Sequence, residues 1–232
     1  MTDLNGKTIL VVGASGAFGN EFCRQLQELG AKVLGTASSA ESAARLPADL
    51  EQRLLLDLTD TSSIQTLTNY LNGSETNLAG IVLAAGLVAF GSVHETPQEV
   101  TAKLMQVNAL GQVHTVSALL PKLFLSAAQN TEPFVVSISG IISEMPMPGI
   151  ASYSASKTAL HGYAKAAAKE LKKSGVRWLD ARPGHTESGL ATRAIFGTAP
   201  NFGAGAAVPA VVQRIIQGIT AGETDLPSES FK

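Results

Sequence analysis

The chain has 232 residues, 45% of them hydrophobic and 16% charged, and a formal net charge of −2. That composition belongs to a globular protein with a sizeable buried core and excludes a disordered one. No run of Lys or Arg and no apolar stretch long enough to span a bilayer is present, so neither nucleic acid nor a membrane is an expected partner.

Cysteine occurs once, at Cys23, which excludes an internal disulfide and any metal set built on several thiolates. His94, His114 and His161 show no ligand spacing, and no metal site is expected. The N-terminal MTDLNGK has no basic region followed by an apolar stretch, so a cytoplasmic location is expected.

Residues 7–12, KTILVV, are rich in β-branched side chains and stop at Gly13, the pattern of a buried strand. GASGAFG follows at 13–19, then a helical pattern over 20–29 closed by Gly30. Between a strand and a helix, glycines let the backbone approach a pyrophosphate, and the helix N-terminus offers free N–H groups. Gly13, Ser15, Gly16, Ala17, Phe18 and Gly19 are therefore candidate dinucleotide-binding residues. A second strand is expected at 32–36. A carboxylate at its end would bond the adenine ribose and repel a 2′-phosphate. The chain has Ala37, Ser38 and Ser39 there, with Arg45 the nearest cation, so NADP is expected in preference to NAD.

A third strand at 53–56 exits at Asp57 and Leu58, and 59–71 reads as a helix with a polar cap. The fourth, 78–85, ends in Ala84, Ala85 and Gly86. A long helix is expected over 97–120, containing Asn108, and a fifth strand over 133–138. After Gly149 a helix runs to about residue 173, and a sixth strand at 176–181 leads to Arg182, Pro183 and Gly184. Trp178 in that strand and Cys23 in the first helix read as core. This alternation predicts an α/β fold: one doubly wound parallel sheet flanked by helices, as a single domain over 1–232. Ligands of such sheets lie outside the carboxyl ends of the strands. The segments 13–19, 84–86 and 183–188, with Ser38, Asp57 and Ser139, all fall at those ends. Residues 185–207 read as a substrate loop, its Gly/Ala/Pro-rich part mobile over the site, and 208–219 as a last helix.

Tyr153 and Lys157 are four residues apart in the helix after Gly149, so they share one face. A free phenol has a pKa of about 10, and a fixed ammonium beside it favours the phenolate. The pair is a candidate proton donor and acceptor for a carbonyl or alcohol.

With YSASK at 153–157 and Pro-Gly at 183–184, the chain resembles the short-chain dehydrogenase/reductase family from residue 7 to about residue 190. The resemblance implies a Rossmann-type domain, a nicotinamide cofactor, a small-molecule carbonyl or alcohol substrate, and a homodimer or homotetramer through the two long helices. It implies that Tyr153 is the catalytic acid/base, that Lys157 binds the nicotinamide ribose, and that Asn108 holds a water in the proton relay. It further implies that Asp57 meets the adenine, that Gly184, Thr186 and Ser188 cover the nicotinamide, and that Glu144, Met145, Met147 and His185 line the substrate pocket. The chain departs from the family pattern at Ala17, where a glycine is usual, and at Leu83-Ala84-Ala85-Gly86, where two Asn are usual. The usual seventh strand is not recognisable in ETDLPSESFK. The family's catalytic Ser falls thirteen residues before Tyr153, at Gly140. Ser139, Ser143 or a backbone N–H is expected to take its place: Ser139 is adjacent, although strand alternation points it elsewhere, and Ser143 lies three residues on in a loop. The alternative is a degenerate dinucleotide-binding protein without turnover.

Overall fold

The computed structural model describes residues 2–232. Its centre is a parallel sheet of seven strands in the order β3-β2-β1-β4-β5-β6-β7. The strands are β1 Thr8–Val12, β2 Lys32–Ala37, β3 Gln52–Leu55, β4 Leu78–Leu83, β5 Phe134–Ile138, β6 Arg177–Ala181 and β7 Asp225–Leu226. Every residue of β4 is buried, as expected of a central strand covered on both faces. Alternate residues feed two cores. Ile9 and Val11 face Phe22, Leu26, Ile215 and Ile219 on one side of the sheet. Leu10 and Val12 face Ile64, Leu119, Leu123 and Trp178 on the other.

The first core lies under helices α1 (Ala17–Glu28) and α7 (Val208–Ala221), which pack together. The second lies under α3 (Thr61–Gly73), α5 (Gly111–Ala128) and α6 (Ala151–Leu171). A four-residue helix α2 (Ala40–Ala43) and α4 (Gln98–Met105) complete the set. Sequence direction along the sheet reverses between β1 and β4, the point at which a doubly wound fold opens its crevice.

Three elements differ from expectation. The tail does contain a seventh strand, Asp225–Leu226, paired with Asp180 and Ala181 of β6. Two residues leave no periodic signature to read. Helix α2 was not expected; it exists because Ser39 and Ser42 close a capping box around its first turn. The helix expected over 97–120 is broken by a π-helical turn at Gln106–Leu110, which carries Asn108, and then runs on to Ala128.

Gly13 follows β1 at φ +83°, and a Cβ there would stand 2.8 Å from the Ala85 backbone at the end of β4. Gly13→Ala is therefore expected to cost at least the ~1–2 kcal/mol of a left-handed L-residue, before the clash with Ala85. Urea unfolding of the variant checks this, and an unchanged midpoint would show that the turn has slack.

Candidate active site

One cavity of about 780 Å³ lies along the carboxyl ends of the strands. Gly13, Ser15, Gly16, Ala17 and Phe18 line one end of it. Helix α1 starts at Ala17, with Gly16 as an extended cap that supplies no side chain and with no acidic residue in the first turn. Its first N–H groups and its positive dipole end are thus free for an anion. Ala17 takes a helical conformation, which alanine adopts without strain, so its methyl does not disturb the turn. Gly19 does not line the cavity. A Cβ there would lie 2.2 Å from the Gly13 carbonyl, so its role is close packing of α1 on the exit of β1.

Thr36, Ser38, Ser39, Asp57 and Leu58 form the next part of the wall. The Ser39 hydroxyl accepts from Ser42 N at 3.1 Å and is committed to capping α2. Arg45 is exposed and is absent from the wall. The Asp57 carboxylate accepts from the Thr59 amide and hydroxyl at 2.8 and 2.7 Å, which fixes its orientation.

Ala84, Ala85 and Gly86 continue the wall towards Tyr153 and Lys157. Asn108 is fully buried behind them. Its amide accepts from Leu87 N at 2.8 Å and donates to Leu87 O and Ser156 Oγ, both at 2.9 Å. A Cβ on Gly86 would lie 3.6 Å from both Asn108 Oδ1 and Lys157 Nζ, so these two polar groups flank one small space.

Lys157 is buried, and its ammonium donates to the Ile138 carbonyl at 2.8 Å. Burial pulls its pKa down to about 8, opposed by the charge of Asp180. Burial also pushes the Tyr153 phenol up to about 12. The expectation that Lys157 lowers the Tyr153 pKa is therefore corrected for the protein alone. Burial is the cause acting on the phenol, and it raises its pKa rather than lowering it.

Around the missing serine the structure is specific. Gly140 has φ +73° and ψ 162°. The N–H groups of Ser139 and Gly140 both donate to Ala181 O, and that of Ile141 donates to Pro183 O, so these three amides have no free proton for a substrate oxygen. The Ser139 hydroxyl donates to Asp180 Oδ2 at 2.7 Å, and that of Ser143 to Gly140 O at 2.8 Å. Neither hydroxyl is left facing Tyr153 without a partner.

Pro183, Gly184, His185, Thr186 and Ser188 close the far side. Thr186, Ser188, Leu190 and Phe202 of the segment 185–207 line the cavity. Ala206 N donates to His185 O, Glu187 N to Ala206 O, and Ile195 N to Val88 O, each at 2.9 Å. Met145 and Met147 line the cavity as expected; Glu144 does not, because it turns to Arg182.

The sequence reading missed a buried polar cluster beneath the site. Asp180 is 3% exposed. It accepts from Ser137 Oγ at 2.5 Å, Ser139 Oγ at 2.7 Å and Arg182 Nη1 at 3.1 Å, and lies 2.7 Å from His161 Nδ1. Arg182 also pairs with Asp225 at 2.7 Å. The signal was a carboxylate between the apolar Leu179 and Ala181 of a strand, which is buried only when paired. Trp178 and Cys23 are core residues as read; Trp178 Nε1 donates to Ser137 Oγ at 2.9 Å.

A family model described as short chain dehydrogenase matches residues 7–195. The chain belongs to the short-chain dehydrogenase family. It is a dehydrogenase/reductase with a single Rossmann-like domain. A dehydrogenase/reductase SDR family protein 7-like from Anopheles gambiae is 27% identical over 96% of this chain and 75% of its own length. A 3-oxoacyl-(acyl-carrier-protein) reductase of Haemophilus influenzae is 27% identical over 75% of this chain and 71% of its own. Among solved structures, a short chain dehydrogenase from Burkholderia cenocepacia in complex with NADP has a TM-score of 0.83 at 21% identity, covering 97% of this chain and 89% of that one. A 3-ketoacyl-(acyl-carrier-protein) reductase from Brucella melitensis complexed with NADH has a TM-score of 0.87 at 19% identity, covering 97% of each chain. These two likenesses support the fold of this short-chain dehydrogenase.

Proposed function

We propose that this short-chain dehydrogenase interconverts a carbonyl and an alcohol on a small molecule with NADP(H), Tyr153 giving or taking the proton at oxygen. One observation carries the reading: a single cavity joins the free N-terminus of α1 to the Tyr153–Lys157 pair. A dinucleotide fits the residues present. The α1 amides would hold its pyrophosphate, Asp57 its adenine, and Lys157 its nicotinamide ribose. Thr186 and Ser188 would cover the nicotinamide. Bound there, the cofactor supplies or accepts hydride. NADP is preferred over NAD because no carboxylate stands at the end of β2 to repel a 2′-phosphate.

Burial keeps the Tyr153 phenol protonated at neutral pH, the form that carbonyl reduction uses. Asn108 holds Leu87 and Ser156 and thereby fixes the exit of β4 beside Lys157; a relay water would sit against this frame. Ser139, bound to Asp180, is a support of the floor in this reading and not a donor to substrate. A site with Tyr153 as its one donor forgoes the roughly 10²–10³ in rate that a second donor contributes. Association through α5 and α6 belongs to the same proposal, supported by exposed Phe124, Leu125 and Tyr163. So does a cytoplasmic location, supported by the single buried thiol. Among the described residues no helix is long and apolar enough to cross a membrane.

Fluorescence titration with NADPH and, separately, NADH tests the reading. Tighter NADPH binding is expected; preference for NADH overturns the cofactor assignment, and binding of neither overturns the whole reading. The titration also has a sign in pH. Lys157 loses its proton as pH rises through about 8, while Tyr153 keeps its own. Affinity is expected to fall across that range as the donor to the ribose loses its charge. The same limb should be absent from Lys157→Met, and a limb that persists there belongs to another group.

A further inference from the structure

The substrate end of the cavity is apolar. Val88, Phe90, Ile142 and Ile150 form a buried cluster, against which Tyr153, Leu190 and Phe202 pack. Beyond this cluster lies a second cavity of about 710 Å³. Four residues, Phe90, Met147, Ile150 and Phe202, line both cavities. The partition between the two is thus partly made of side chains that line both.

Backbone contacts hold the second cavity's frame. Phe90 N donates to Phe196 O at 2.9 Å and Gly91 N to Gly149 O at 2.7 Å. The partition is softer. Met147 is 44% exposed, and a thioether side chain has three rotatable bonds. The Phe90 and Phe202 rings stand 5.9 Å apart between centroids, tilted and not stacked. The one charged residue on the second wall is Glu95, whose carboxylate is held by Ser92.

We infer that the second cavity is a tail site: the substrate carries an unbranched aliphatic chain, with its carbonyl at Tyr153 and its chain passing Met147 and Phe202 into the space bounded by Phe196 and Thr198. The inference rests on the oxidoreductase reading above for the placement of the carbonyl. A flexible chain passes a partition of movable side chains, whereas a rigid fused-ring skeleton does not. No cation lines the second cavity, so an anionic tail gains nothing there.

Two series of straight-chain compounds, from about four to about twelve carbons, decide it. Aldehydes are assayed for kcat/KM with NADPH, and unreactive carboxamides for binding by calorimetry. Each methylene taken from water into an apolar site is expected to raise kcat/KM and binding by up to about fourfold, the ratio equivalent to ~0.8 kcal/mol. Thr198→Trp, at the exposed rim, fills only the second cavity. It is expected to reduce the long-chain to short-chain ratio by about tenfold or more, the loss of roughly two methylenes of gain. A carboxamide series that rises with length and is flattened by Thr198→Trp supports the tail site even if no aldehyde is reduced; in that case only the oxidoreductase reading fails. A carboxamide series that is flat, or whose rise survives Thr198→Trp, overturns the tail site even if short aldehydes are reduced well.

Discussion

Tyr153→Phe is expected to lower kcat by roughly 10²–10⁴-fold, the usual contribution of a positioned general acid. The substitution removes one hydroxyl and keeps the ring, so the apolar cluster of Val88, Phe90, Ile142 and Ile150 keeps its partner. KM and dinucleotide binding should change far less than kcat, because the proton moves in the transition state. The phenol pKa of about 12 also gives a direction. Reduction uses the protonated form, present throughout the neutral range. Oxidation uses the phenolate, so the oxidative rate should climb as pH rises while the reductive rate does not. Steady-state assays in both directions check this. Substantial turnover in Tyr153→Phe would remove the phenol from the mechanism.

Asp180→Ala is expected to destabilise the fold by ~3–5 kcal/mol, the cost of removing one partner from a buried charged cluster. Arg182 is 4% exposed and would keep Glu144 and Asp225, but one of its N–H groups would lose an acceptor. The hydroxyl of Ser139 would lose its acceptor, and His161 and Ser137 would lose their carboxylate partner. In a chain of this length the loss corresponds to a fall in Tm of roughly 6–20 °C. Thermal unfolding near neutral pH measures it. A fall of only a degree or two would mean that solvent already reaches the cluster.

The fold was largely legible because β1, β4 and β5 are largely apolar runs that stop at a small or turn-forming residue. Runs such as LAGIVL and FVVSI admit one reading in a chain that alternates them with helical patterns. Tyr153 and Lys157 were legible because helical spacing alone puts them on one face. What stayed hidden depends on partners distant in sequence. Strand β7 exists only against β6, and α2 only through a serine pair. Glu144 was assigned to the cavity together with Met145 and Met147 because all three lie in the loop before α6; its partner Arg182 lies 38 residues on. Ser139 shows the reverse case. Strand alternation already turned it away from the position of Gly140, and the structure supplies the reason, a bond to Asp180.

The π-helical turn at Gln106–Leu110 constrains what single-residue insertions and deletions the gene can tolerate. Such a turn is in effect one extra residue inside an α-helix. The wide turn absorbs that residue, so the helix on either side of it keeps its phase. Leu119 and Leu123 thereby stay on the sheet, and Ser126 reaches the Leu78 carbonyl it bonds. With the same residues in regular winding, everything after the turn would be rotated by about 100°, one residue's share of a 3.6-residue turn. Losing a residue at the turn itself would restore regular winding with the downstream face in place, at the expense of the local shape around Asn108, whereas losing one further along α5 would turn that face off the sheet.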